Sequence, residues 1–283
     1  MILIADSGAS KSDWILIDKN GEHLSFQLIG LNPFYLTPEE TGNILSKELT
    51  PFIEAKKIEK LYFYGAGCAS PYKCMMLEEA FSALFKNSEI IIKSDLLGSA
   101  RALFGNKPGI ACILGTGSNS CYYDGETIVQ RAVSLGYFFG DEGSGAHMGK
   151  QFIKDFLMGT LPEELNEAFR KNFNYTRDNI LDAVYNLPFP NRFLASFCEF
   201  FADHLSSKYI FNLITNSFRE FFNGYIEIYP EYKEASIGFT GSVAYFFEPL
   251  LREVARENGI RIDHIIQSPI RFLAAYHQPK SES

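Results

Sequence analysis

The chain opens with a strand-length apolar run, a tight turn of small and hydroxyl residues and a second strand-length run, and the same order returns at Ile110. Ile2–Ala5 leads into Asp6-Ser7-Gly8-Ala9-Ser10-Lys11-Ser12 and on to Ile17. Ile110–Leu114 leads into Gly115-Thr116-Gly117-Ser118-Asn119 and then Ser120–Tyr123. A third turn, Gly238-Phe239-Thr240-Gly241-Ser242, follows Ala235-Ser236-Ile237. Small residues at such places let backbone N–H groups and hydroxyls converge on an anion. Two strand–turn–strand openings constrain the chain to a pair of α/β halves. Three such turns, with isolated acids between them, point to a nucleotide phosphate held between two domains.

The rest of the pattern agrees with a duplicated α/β architecture. In the first half, Asp18-Lys19-Asn20-Gly21 predicts a hairpin before the strand Glu22–Ile29. Apolar spacing after Thr37-Pro38-Glu39-Glu40 predicts a helix over Pro38–Lys56, and Leu61–Tyr64, Met75–Phe85 and Glu89–Lys93 follow as strand, helix and strand. In the second half, Asp124-Gly125 turns Ser120–Tyr123 into Thr127–Ala132. A Phe-, Leu- and Ile-rich helical stretch then runs from Gly143 to about Tyr229, broken at Gly159, Pro162, Pro188 and Pro190. Strands return at Ala235–Thr240 and Ile262–Ile266, around a helix Val243–Glu257 that Asn258-Gly259 ends. The expected division is 1–108 and 109–268, with a helical insertion over about 143–229. No Ser/Gly/Pro-rich linker separates the halves, so the boundary is expected near Gly105–Gly109.

Charge and cysteine usage narrow the function classes. A formal charge of −8 and no basic run longer than two, as at Lys56-Lys57, argue against a nucleic-acid surface. Fully apolar stretches fall well short of a membrane span, and no cationic leader precedes the first strand. Cys68, Cys74, Cys112, Cys121 and Cys198 form no C-x-x-C pair and no Cys/His cluster, which fits buried free thiols in a reducing cytoplasm.

Several side chains are candidates for chemistry, each with a plainer reading beside it. Asp6 ends a buried-type strand, where a carboxylate can hold Mg²⁺ through water. Ser7, Gly8, Ser10 and Lys11 in the same turn could meet phosphate oxygens, as could Gly115, Thr116, Gly117 and Ser118 in the second. An ordinary hairpin turn is the alternative. Gly241 and Ser242 join a strand to a helix, where free N–H groups favour a phosphate or a nucleoside edge. Asp95, after Ile90–Ser94, is placed either as a proton acceptor or as a helix N-cap. Asp141-Glu142 carries the same two readings, although flanking glycines are costly for a simple cap. Leu61–Gly67 lacks the remaining features of a dinucleotide fingerprint and is read as a strand and tight turn. His147 and Trp14 are read as structural.

Asp6–Ser12, Gly30-Leu31-Asn32-Pro33-Phe34, Ser94-Asp95, Leu114–Asn119, Gly140–Ser144 and Thr240–Ser242 occur together in this order. The combination resembles the N-acetylglucosamine kinase / BadF-BadG-BcrA-BcrD ATPase family of the actin/hexokinase/Hsp70 superfamily, over nearly the whole chain. The resemblance implies two actin-like, ribonuclease H-like α/β domains with a nucleotide cleft between them. It implies ATP-dependent phosphorylation of the 6-hydroxyl of an N-acetylated amino sugar by a cytoplasmic homodimer, with Mg²⁺ as cofactor. By the same resemblance, Asp6 helps hold Mg²⁺, while Ser10 with Lys11 and Gly115 to Ser118 bind phosphate. Gly241 and Ser242 lie on the adenosine side, Asn32, Asn119 and Asp141 bind the sugar, and Asp95 is the catalytic base. A last helix, about 269–278, would return to pack on the first domain.

Other readings stay open at this level. Leu135 stands where eukaryotic N-acetylglucosamine kinases carry a Trp, so N-acetylmuramic acid or glucosamine are alternative acceptors. An ATPase activator of the BadF type would need cluster-binding cysteines that are absent. A non-catalytic sugar-binding regulator is disfavoured by the intact Asp6 and Asp95, and a zinc-containing sugar kinase by the missing Cys/His cluster.

Overall fold

The computed structural model describes residues 1–278. These divide into two compact units: Met1–Lys107 with Tyr123–Ile128 and the segment from Ser268, and Pro108–Tyr122 with Val129–Gln267. Each unit is built around one five-stranded sheet.

In the first sheet the strands are β1 (Ile2–Ser7), β2 (Lys11–Ile17), β3 (His23–Ile29), β4 (Lys60–Gly65) and β5 (Glu89–Ser94), in the order β3-β2-β1-β4-β5. β1, β2 and β3 form an antiparallel meander, and β4 and β5 continue it in parallel with β1. The second sheet contains β6 (Gly109–Leu114), β7 (Ser118–Tyr123), β8 (Ile128–Arg131), β9 (Ile237–Thr240) and β10 (His264–Ile266), in the order β10-β9-β6-β7-β8. β9 pairs in parallel with β6 and with β10. Position for position this is the first sheet again, with β6 in the role of β1. The chain is therefore an α/β protein of two repeated halves.

Burial explains the strand register. Trp14 projects inward from β2, 1% exposed, and stacks on Phe26 with ring centroids 6.2 Å apart, while Phe63 and Phe81 complete the packing. The helix Pro71–Leu84 contributes Leu77 and Phe81 to this core. The helix Ile270–His277 packs on the helix Asp95–Phe104 and on β1 and β2.

In the second unit the long Phe-rich stretch folds into helices Gly145–Met158, Glu163–Asn172, Arg177–Tyr185, Pro190–Ala195, Cys198–Asp203 and Lys208–Phe221. Phe152, Phe169, Phe197 and Phe201 are fully buried within one cluster. That cluster is core, packed through edge-to-face and tilted ring pairs with centroids 4.7–6.5 Å apart.

Three elements depart from the sequence reading. The helix expected over Pro38–Lys56 begins with the Thr37–Glu40 capping box but ends at Ile44, passing into a π-helical turn Leu45–Leu49 before Pro51. Proline lacks the N–H needed to continue the ladder and its ring blocks the preceding turn. The helix expected over Val243–Glu257 splits at Phe247 into Ser242–Phe246 and Glu248–Glu257, with Pro249 in the first turn of the second. A four-residue helix, Gly136–Phe139, is too short to show periodicity in sequence.

Candidate active site

In the first unit, β1 delivers Asp6 to the end of the sheet, opposite Asp13 of β2. Burial raises the Asp6 carboxyl well above its ordinary range. The charges of Asp95 and Asp13 raise it further, against the opposing effect of Lys11. The ammonium of Lys11 pairs with Asp13 at 3.5 Å, and the turn closes through a hydrogen bond from the Gly8 N–H to the Lys11 carbonyl, 2.9 Å. The Ser7 hydroxyl is buried and engaged with Leu31, accepting its N–H at 2.9 Å. It fastens the Asn32 loop to β1. Gly30 lies so close to the Gly8 and Ala9 backbone that any side chain there would collide with it.

Asp95 is not the N-cap of its helix. Ser94 caps it, accepting the Leu97 N–H at 3.3 Å, and Asp95 occupies the first helical position. Its Oδ1 accepts the Leu96 N–H at 2.8 Å. Burial pushes the carboxyl up to about 6, against those backbone donors. An acid at that value is ionised at neutral pH yet remains a competent base.

Asn32 is 8% exposed, and its Oδ1 accepts the Phe34 N–H at 2.9 Å, so the amide NH₂ remains available for a ligand acceptor. Two residues that sequence reasoning missed hold this loop. Lys73 donates to the Pro33 carbonyl at 2.6 Å and lies over the Phe34 ring at 4.6 Å. Gly67, at φ +83°, leaves room for Asn32, whose Oδ1 would lie 2.6 Å from any Cβ there.

In the second unit three turns converge. The Gly145 and Ala146 N–H groups donate to the Gly115 and Thr116 carbonyls at 2.9 and 3.1 Å. A Cβ on Gly241, whose φ is +112°, would run into the Leu114 carbonyl and lie 3.3 Å from the Gly115 nitrogen. Ser242 begins the helix that follows. The Ser118 hydroxyl is buried, and its oxygen has no protein partner. Asn119 turns its Oδ1 back to the Ser120 N–H at 2.8 Å, again leaving the amide NH₂.

Asp141 is one of two non-glycine residues at positive φ among those described, at +60°. This left-handed conformation is costly for a residue with a side chain, and it clusters at functional turns. Burial raises its carboxyl to about 6; the Ser118 N–H and Lys150 lower it, and the Glu142 charge raises it. The helix that follows is capped by Ser144, which accepts the His147 N–H at 3.1 Å. Neither Asp141 nor Glu142 is therefore a helix cap. The His147 ring is wedged in the fold, with Nδ1 2.8 Å from the Ser217 hydroxyl and Nε2 3.3 Å from Glu220.

Within each unit, then, the candidate residues gather at the sheet end. Asp6, Lys11, Asp95 and the Asn32 loop lie in the first, and residues 115–119, Asp141 and Gly241-Ser242 in the second. Both units present an acid held near neutrality beside turns rich in backbone donors. Among the described residues no group of three or more His, Cys, Asp or Glu side chains could hold a metal, and no helix is long and apolar enough to cross a membrane. All five cysteines are free.

Paired sheets of this repeated order, each ending in a small-residue turn and an acid, define the two-domain α/β class of the actin/hexokinase superfamily, to which sugar kinases belong. A crystal structure of a "Putative N-acetylglucosamine Kinase" from Porphyromonas gingivalis matches with 43% identity, 98% of each chain covered and a TM-score of 0.92. The chain belongs to this N-acetylglucosamine kinase family. A protein of the same description from Chromobacterium violaceum shares the fold at 14% identity, TM-score 0.74, with 98% of each chain covered. A ROK family glucokinase from Streptomyces griseus, in complex with glucose and AMPPNP, shares it at 14% identity and TM-score 0.60 over 97% of each chain. No protein-family model matches the sequence, and no curated protein matches it.

Proposed function

We propose that this protein transfers the γ-phosphoryl group of ATP to the 6-hydroxyl of an N-acetylated amino sugar, N-acetylglucosamine first among them. The observation that carries the reading is Asp95, a carboxyl raised to about 6 by burial at the end of β5, in a chain 43% identical over its full length to a protein of that description. In this reading Asp95 accepts the proton of the sugar hydroxyl as the hydroxyl oxygen attacks the γ-phosphorus. Phosphoryl transfer asks little covalent chemistry of the protein, so positioning and charge stabilisation carry the rest.

The turn residues supply that charge stabilisation. Gly8, Ser10 and Lys11 are proposed phosphate ligands, as are Gly115, Thr116, Gly117 and Ser118. The Ser118 hydroxyl, buried and without a protein partner, suits a phosphate oxygen. The Ser7 side chain serves instead to hold the Asn32 loop, since Leu31 occupies its hydroxyl. Gly241 and Ser242 are assigned to the adenosine side. Asn32 and Asn119, each with a free amide NH₂, and Asp141 are assigned to the sugar.

Asp6 fits a Mg²⁺ that arrives with the nucleotide. The like charges of Asp95 and Asp13 press on its carboxyl, and only Lys11 opposes them. A divalent cation there would neutralise charge on the transferring phosphoryl group. Asp6 would orient it through water. The protein is proposed to act as a homodimer in the cytoplasm, and the free cysteines suit that reducing compartment.

The test is ADP release from Mg-ATP with N-acetylglucosamine, N-acetylmuramic acid, glucosamine, N-acetylmannosamine and glucose. Strong turnover with one N-acetylated sugar supports the proposal and names the acceptor. Steady ADP release without sugar dependence would instead make the protein an ATPase.

A further inference from the structure

The turn Gly140–Ser144 is held from one side by residues 84 positions or fewer away in sequence, on the helix Lys208–Phe221 and the π-helical turn Phe222–Ile226 that continues it. Ser217, Phe221 and Tyr225, spaced four apart, lie on one face of this segment. Ser217 Oγ accepts the Gly143 N–H at 3.0 Å. The Phe221 side chain occupies the space beside Gly143, at φ +80°, where a Cβ would lie 2.8 Å from the Phe221 Cβ and 3.1 Å from the ring's Cγ. Tyr225 completes the row and makes the contacts with the acids.

The Tyr225 hydroxyl accepts the Asp141 N–H at 3.2 Å and donates to Glu142 Oε2 at 2.9 Å. A phenol has one proton to give, so its donor is committed to Glu142. Tyr225 is 5% exposed, and its ring is stacked on Phe221 at 4.9 Å, with 8° between planes. The main chain of Tyr225 is held as well. Its carbonyl accepts from Ser120 Oγ, and Ser120 also meets the Tyr229 hydroxyl at 2.8 Å. Ser120 follows Asn119 directly on β7. One residue thus ties the Asp141–Glu142 turn to the strand carrying the Gly115–Asn119 loop. π-helical turns of this kind frequently accompany functional sites, and here the turn includes the tyrosine itself.

We propose that Tyr225 is the positioning residue of the acid turn: its hydroxyl keeps Asp141 in left-handed backbone and aims Glu142, so that sugar affinity depends on a side chain outside the substrate contacts. The proposal rests on the reading of Asp141 as a sugar ligand. An unsupported residue with a Cβ at φ +60° relaxes toward commoner conformations, and the relaxation carries the carboxylate away from the Ser118 N–H. Ser217 still pins Gly143 when the Tyr225 hydroxyl is removed, so the loss stays local to Asp141 and Glu142.

The experiment is Tyr225→Phe, which keeps the ring stack and deletes only the hydroxyl. Circular dichroism and melting establish that the variant is folded. Hydrogen exchange across residues 140–143 is expected to quicken about tenfold or more. The KM and calorimetric Kd for the sugar should rise about tenfold or more, with the KM for ATP within about twofold. Unchanged exchange in the folded variant overturns the proposal. So does quickened exchange with an unchanged sugar Kd, which would leave Tyr225 a purely structural residue. A wild-type protein that neither binds nor phosphorylates any sugar of the panel defeats the functional reading instead, and the exchange measurement still judges the positioning. Should the variant fail to fold, the wild-type Asp141 amide decides: it is expected to be protected, and rapid exchange there refutes the hydrogen bond on which the proposal stands.

Discussion

Asp95→Asn is expected to make the protein slower and more stable at the same time, and both effects follow from one carboxyl. Asparagine keeps the shape, and its carbonyl can still accept the Leu96 N–H, but it cannot take up a proton. Loss of a general base costs about 10²- to 10⁴-fold in turnover, so kcat should fall at least about 10²-fold with the KM for ATP little changed. In the wild type, a base at about 6 predicts an acid limb in kcat/KM, with roughly a tenfold loss from pH 7 to pH 5. The stability effect has the opposite sign. A carboxyl whose value rises from 3.8 to about 6 on folding stabilises the fold fully below pH 3.8, and that stability is lost as pH rises through 6. At neutral pH the ionised group therefore costs the fold at most about 3 kcal/mol, taking 1.36 kcal/mol per tenfold change in proton affinity. Removing the charge also relieves Asp6, on which Asp95 presses. Calorimetric melting at pH 7.5 should show a Tm higher by several degrees, at about 2–4 °C per kcal/mol for a domain of this size. A kcat within threefold of wild type would refute the base assignment, and a lowered Tm would refute the burial argument.

Gly241→Ala places a Cβ against the Leu114 carbonyl at a φ of +112°, so urea unfolding should show a loss of about 2 kcal/mol or more. Ser118→Ala is expected to behave in the opposite way. It removes a buried hydroxyl with no protein partner, so stability should hold within about 1 kcal/mol while the KM for ATP rises about tenfold, read by initial rates. His277 accepts at Nε2 from the Tyr64 hydroxyl at 2.8 Å, while Arg101 donates to the same oxygen at 2.8 Å. Burial, with a smaller effect of Arg101, lowers its pKa to about 4. The neutral ring therefore contributes stability that is full above pH 6.5 and is lost as pH falls through about 4. His277→Leu should flatten the pH dependence of the urea midpoint over that interval, and an unchanged slope would refute the assignment.

What was legible in the sequence was what is local in it. The turn after β1 declares itself because an apolar run, small residues and a second run are adjacent, and the same holds after β6. The repeat of strand order follows once β6 is recognised as a second β1. Helix ends were less legible, because they depend on which rule prevails. The pattern after Thr37 supports a long helix, and Pro51 stops it. Asp141 marks the limit most sharply. An acid pair between glycines can be read as a cap or a ligand, and its neighbours are the same either way. The fold removes the cap reading, since Ser144 takes that place, and it alone displays the positive φ of Asp141 and the Tyr225 hydroxyl beside it. In sequence Tyr225 is one more aromatic in a Phe-rich helical stretch, and packing is the sound inference for such a residue. Its ring does pack, on Phe221, while its oxygen holds the acid turn. A side chain can serve the core with its ring and the site with its hydroxyl, and no periodicity separates the two uses. The residues that bind a substrate are selected for local chemistry and leave local marks. Those that hold them in place are chosen by three-dimensional proximity, and only the fold displays it.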